Sequence, residues 1–118
     1  MIVVIKQVTA MPKSSKTSSS VFSRRLKEAR LNAGLSQKRL GIEAGMDEFV
    51  ASTRINRYEK GVHQADETTA SALARVLNVP LAYFYAEDNA LAKMMILFFR
   101  LSPEEQETML RLMQNMLN

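Results

Sequence analysis

The stretch Gly34-Leu35-Ser36-Gln37-Lys38-Arg39-Leu40-Gly41-Ile42-Glu43-Ala44-Gly45, with the later run Arg54-Ile55-Asn56-Arg57-Tyr58-Glu59-Lys60-Gly61, decides the reading of this 118-residue chain. Gly34 stops one helix, and the Ser36 hydroxyl suits an N-cap because it can accept from the free amides of the next turn. A short helix then runs from Gln37 to about Ala44 and stops at Gly45. A further helix ends at Lys60-Gly61, where glycine tolerates the left-handed backbone of a helix stop. Two short helices joined by a glycine-containing turn can present the second as a probe for a groove.

Upstream, Phe22, Leu26 and Ala29 share one helical face, with Arg24, Arg25, Lys27 and Glu28 on the others. Those three cations are read either as solvating the first helix or as meeting phosphate. Met1–Val8 is apolar and β-branched, consistent with a short strand or an upstream extension. Pro12–Ser20 is a Lys/Ser/Thr stretch with nothing to bury, so residues 1–20 are expected to be a flexible basic arm. Met11 stands as an alternative start to Met1. Downstream, Asp66 is expected to cap a fourth helix with the apolar stripe Leu73, Val76 and Leu77, stopped at Asn78. Pro80 opens a fifth short helix through Tyr85. Another helix covers about Asp88–Phe99. Ser102-Pro103-Glu104-Glu105 then combines a cap, a first-turn proline and acids at a positive helix end, opening a last helix over Pro103–Leu117. The fold class is all-α: a five-helix domain over residues 21–87 and a helical extension over 88–118.

Composition narrows the function. The chain has no cysteine and one histidine, His63, which excludes disulfides and thiolate metal sites. No cofactor or metal is expected. An enzyme is not expected either, because the sequence offers no cysteine nucleophile, no phosphate-cradling glycine loop and no evident carboxylate pair. No apolar run approaches the ~18 residues of a membrane span, and Lys6 interrupts the one at the start, so a cytoplasmic location without membrane contact is expected. Residues 1–65 hold twelve Lys or Arg against five Asp or Glu, and residues 66–118 hold four against seven. That asymmetry suggests a half facing a polyanion joined to a half with another task.

The quoted motifs, with the tail motif Leu77-Asn78-Val79-Pro80, closely resemble the λ-repressor/Cro-like helix-turn-helix regulators, the Xre family. The resemblance covers about residues 22–85 and implies a partner, double-stranded DNA, read in the major groove. Residue by residue, it implies that Gln37 contacts phosphate and braces the recognition helix, and that Ser52 and Thr53 are early base-reading positions. Arg57 is a later one, able to grip guanine O6 and N7 in bidentate fashion. Arg54 and Lys60 are assigned to phosphate, and Asn56 to the probing surface. Ile55 and Tyr58 point the other way as anchors. Arg30 and Glu59 match a structural ion pair of the family.

Two departures stand out. Met46-Asp47-Glu48-Phe49 is an insertion of about four residues ahead of the recognition segment. An Asp47 cap on a longer third helix would bring the first base contacts nearer Glu48. Gly41 replaces the alanine that the family prefers, at about 1 kcal/mol of helix propensity.

The resemblance implies a sequence-specific transcriptional regulator, read as a repressor on an inverted-repeat operator. The apolar residues Met94, Met95, Leu97, Phe98 and Phe99, with Met109, Leu110, Met113, Met116 and Leu117, exceed what five helices bury. Residues 88–118 are therefore expected to form a homodimer interface. The alternative is an antitoxin or adaptor whose tail holds a partner protein while the helix-turn-helix holds DNA.

Overall fold

The computed structural model describes residues 18–118. The expected arm therefore lies, over residues 1–17, outside the described residues. Six α-helices and one 3₁₀ segment make up the rest: α1 Ser18–Asn32, α2 Gln37–Glu43, α3 Ala51–Glu59, α4 Glu67–Leu77, the 3₁₀ segment Leu81–Tyr85, α5 Asn89–Phe99 and α6 Pro103–Leu117. α1 starts three residues before Val21, because polar serines extend a helix without adding to its apolar stripe.

Local chemistry sets most of the ends. The side chains of Ser36, Asp66, Asp88 and Ser102 each accept from the backbone N–H three residues on. At Ser102 the reciprocal bond from its own N–H to Glu105 completes a capping box, with Pro103 in the first turn. Asn78 stops α4 in the left-handed region at φ 56°. The expected helix after Pro80 is a 3₁₀ turn, with Pro80 as its extended cap residue. Five residues between two chain reversals are too few for a sustained i→i−4 ladder.

Phe22 and Leu26 of α1, Leu40 of α2, Ile55 and Tyr58 of α3, Leu73 and Leu77 of α4, and Tyr83 and Phe84 share one core. Each fully buried Leu, Ile or Phe contributes roughly 1.5–3 kcal/mol. Phe22 and Phe84 pack as a tilted aromatic pair with centroids 4.9 Å apart. Ala92 of α5 joins this core, and Met95 and Ile96 pack against it half-buried. α6 has no buried residue at all.

Arg25 departs from both readings of the sequence, as a solvating residue or a phosphate contact. It is 1% exposed. Its guanidinium donates to Ala86 O at 2.8 Å, Glu87 O at 3.0 Å, Asn89 Oδ1 at 3.0 Å and Glu28 Oε1 at 3.0 Å, and it lies over the Tyr83 ring. A buried charge persists only when its donors are satisfied, and here they stitch α1 to the start of α5. Arg24 also reaches Asn89 Oδ1, at 3.3 Å. The Tyr83 hydroxyl donates to Glu28 Oε1 at 2.7 Å. That bond, followed by the Arg25 guanidinium, holds the Glu28 carboxyl below its ordinary range against an opposing effect of burial. Burial first, and the Glu28 carboxylate second, push the Tyr83 phenol up.

The α2–α3 contact explains Gly41. A Cβ on this residue would lie 2.6 Å from Ala51 Cβ and 3.0 Å from Ala51 Cα. The two helices cross where there is room for one methyl between them, and Ala51 supplies it. The family's preferred alanine is excluded here by a methyl on the opposite helix.

Gly41→Ala should therefore destabilise the fold by about 1–3 kcal/mol, the usual range for an overpacked contact. Adding Ala51→Gly should return most of that loss in thermal melts. A Gly41→Ala melting temperature equal to the parent's would show that the helices have room to separate.

Candidate nucleic-acid interface

α3 is built in two stages. Asp47 Oδ1 accepts from Phe49 N at 2.8 Å, while Asp47 O accepts from Val50 N at 3.1 Å and Ala51 N at 3.0 Å. Asp47 thus caps a leading turn, and α3 proper begins at Ala51 behind Val50, which offers no side-chain cap of its own. The four-residue insertion resolves into this turn. Gly45, at φ +98°, makes the reversal before it, which a side chain would strain.

Successive residues turn roughly 100° around a helix. Ala51, Ile55 and Tyr58 fall on one side and are buried. Ser52, Thr53, Arg54, Arg57 and Lys60 are exposed, and Asn56 is half-buried at the edge of the same polar surface. Thr53, Arg57 and Lys60 stand opposite the anchors, with Ser52 and Arg54 to either side. This uncovered face offers hydroxyl, amide, guanidinium and ammonium groups along one helix.

Gln37 is also where the motif implies, on the first turn of α2, and its Nε2 donates to Glu59 Oε1 at 3.0 Å. Glu59 collects more. Arg30 Nε donates to its Oε2 at 2.6 Å and Arg30 Nη2 to its Oε1 at 3.1 Å, while Arg30 Nη1 donates to Leu35 O at 2.9 Å. The Glu59 side chain is 3% exposed and that of Arg30 10%. One carboxylate therefore fixes the start of α2 and the end of α1 to the end of α3. Ser23 Oγ donates to Tyr58 O at 2.7 Å and ties α1 to α3 a second time.

Arg54 is not a free cation. Its Nη2 donates to Tyr58 Oη at 2.9 Å, and the guanidinium lies 5.9 Å from that ring's centroid. The i,i+4 spacing is visible in the sequence, and Tyr58, expected only as an anchor, also holds Arg54 through its hydroxyl. On α2, Lys38 is exposed, and Arg39 pairs with Glu43 at 2.9 Å. His63 is exposed in the loop after α3. Among the described residues no three His, Asp or Glu side chains gather to hold a metal ion. The residue that the sequence did not single out is Phe49, 86% exposed on the leading turn of α3.

An anchored helix behind a braced partner helix, joined by a glycine turn, with its outer face polar and cationic, defines a helix-turn-helix DNA-binding domain. The helix-turn-helix family model matches residues 26–84, and the chain belongs to that family, of the Xre or λ-repressor type. Among solved structures it is similar to the transcriptional regulator BswR. The two are 43% identical, with a TM-score of 0.74 over 79% of this chain and 92% of that one. No curated protein sequence matches. Family and neighbour together make the chain a DNA-binding transcription regulator. No helix among the described residues is long and apolar enough to cross a membrane.

The bracing cluster gives a stability test. Arg30→Ala or Glu59→Ala strands the opposite charge in a buried site and should cost about 3–5 kcal/mol. Arg30→Lys should recover only part of this, since an ammonium cannot make the two-pronged contact. Unchanged denaturation midpoints for the alanine variants would mean that the pair adds nothing to the fold.

Proposed function

We propose that the protein is a cytoplasmic repressor that binds an inverted-repeat operator as a homodimer and occludes a promoter. In this reading Ser52, Thr53, Asn56 and Arg57 meet base edges, whereas Gln37, Arg54 and Lys60 meet phosphate. The Arg54–Tyr58 bond supports the phosphate role, because it holds the guanidinium at the rim of the α3 face rather than at its crest. A phosphate contact fixes register without reading sequence.

The single observation that carries the dimer is the uncovered apolar surface of the tail. α6 buries none of its side chains, and Met109, Leu110, Met116 and Leu117 are all exposed on one side of it. α5 is apolar nearly all round, yet Leu91, Met94, Leu97 and Phe99 remain exposed. A helix of that composition belongs in an interior. Surfaces of this kind mark association sites, and a closed two-fold pair is the commonest arrangement. Two recognition helices roughly 34–36 Å apart would then meet half-sites one turn of DNA apart. A single domain reads too few base pairs to discriminate among competing genomic sites, which is the functional reason for pairing.

Three measurements test this. Affinity should fall about 10³–10⁵-fold between 50 and 200 mM salt for a dimer making on the order of 6–10 phosphate contacts. Arg57→Ala should cost roughly 1–3 kcal/mol on a selected duplex and relax preference at one base position, while Lys60→Ala weakens all duplexes alike. A uniform loss for Arg57→Ala would mean that the base-reading register is misplaced.

The oligomeric test uses the exposed positions of α6. Leu110→Asp with Leu117→Asp should give a folded monomer with weak, still salt-sensitive binding. Cutting instead after Glu87 would also remove Asn89 and Ala92, which serve the core. Sedimentation showing the parent chain monomeric at tens of micromolar would overturn the dimer. Co-purification of a second polypeptide would favour the adaptor reading.

A further inference from the structure

We propose that Phe49 is a specificity residue that reads the C5-methyl group of thymine in the major groove. The proposal rests on the DNA-binding reading of α3. A lone exposed apolar side chain is ordinary, so its exposure alone decides nothing. Position and backbone carry the argument.

Phe49 sits on the leading turn of the recognition helix, the end that enters the groove in helix-turn-helix docking. Its backbone is fixed, because Asp47 Oδ1 holds the Phe49 amide and Asp47 O holds the amides of Val50 and Ala51. That turn leads directly into α3, so Phe49 stands two residues ahead of Ala51, at the N-terminal end of the helix. The polar stripe of Thr53, Asn56 and Lys60 follows it, opposite the buried Ala51, Ile55 and Tyr58. The benzyl group, 86% exposed, is thus at the same end of the helix as Ser52 and Thr53, and Val50 beside it is 42% exposed.

The charges around it select the target. Asp47 and Glu48 are both exposed acids beside Phe49 and are repelled by phosphate. Lys38 on α2 and Arg54 and Lys60 on α3 are exposed cations, which this docking leaves to the phosphates. An apolar tip flanked by acids is therefore directed toward base edges rather than the backbone. Thymine is the base that offers an apolar group there, and phenylalanine is among the side chains suited to touch it. The insertion Met46–Phe49 gives this domain an additional reading position.

The test uses the full chain and the duplex that it enriches from a random library. Dissociation constants are measured for the parent and Phe49→Ala on that duplex, and on versions with each thymine replaced singly by deoxyuridine, which lacks only the methyl. Phe49→Ala should bind the enriched duplex several-fold more weakly, bind an unrelated duplex about as well as the parent, and melt at the parent's temperature. At one position per half-site, deoxyuridine should cost the parent about three- to fivefold, the scale of one buried methyl, and should cost Phe49→Ala nothing. Phe49→Leu, still apolar, should keep part of the effect. Equal deoxyuridine losses in parent and Phe49→Ala at every position would overturn the proposal. So would a Phe49→Ala variant that loses self-association but not base preference. A parent that enriches no duplex would overturn the reading of α3 and this proposal with it, whereas enrichment with a flat deoxyuridine series removes Phe49 alone.

Discussion

The Glu59 carboxylate is the point on which the domain turns. It lies at the end of α3 and is nearly inaccessible, yet it accepts from Arg30 on α1 and Gln37 on α2. A buried carboxylate is stable only while such partners surround it, so the three helices are constrained to meet there or not at all. The pair need not add net stability over an apolar contact of equal size. It excludes every packing in which α2 and α3 rotate against α1, because each of those leaves a charge unpaired. Gly41 against Ala51 supplies the second constraint, a steric one at the other end of α3. Between a fixed charge and a fixed methyl, α3 has little freedom to roll.

A recognition helix held in this way separates two tasks along one nine-residue segment. Ala51, Ile55 and Tyr58 are consumed by anchoring, and Glu59 by bracing. What remains, Ser52, Thr53, Arg54, Asn56 and Arg57, is unconstrained by the fold except for the tie between Arg54 and Tyr58. Substitutions on that outer face change recognition chemistry without touching the core. Of the bracing cluster, the Arg30 and Glu59 side chains are buried away from the outer face, and Gln37 is the member left half-exposed.

Much of this was legible in the sequence because helix ends are local. Ser36, Asp66 and Ser102 cap helices through groups within three residues, and Asn78 stops one by its own backbone tolerance. The family motif gave the Arg30–Glu59 pair, which no local rule reaches. What escaped depends on partners far along the chain. Arg25 looks like its neighbours Arg24 and Lys27, and its burial follows from the carbonyl oxygen of Ala86, 61 residues away. The role of Gly41 is half visible in the sequence: its departure from the family's alanine stands out, but the opposing methyl of Ala51 does not. Phe49 escaped because the insertion around it leaves open in sequence alone where the turn capped by Asp47 begins.

The buried Arg25 sits at the junction of head and tail. Its donors grip Ala86, Glu87 and Asn89, the three residues around which the chain leaves the DNA-binding domain and enters α5. Ala92, one turn further on, is already in the core. α5 therefore departs as a rigid strut rather than a tether. In the proposed pair joined through the tail, the span between the two reading helices would become a length built into the protein. Such a molecule would measure DNA as a caliper does. A base pair inserted at the centre of its proposed site would turn one half-site by roughly a tenth of a helical turn, out of reach of a head that cannot swivel.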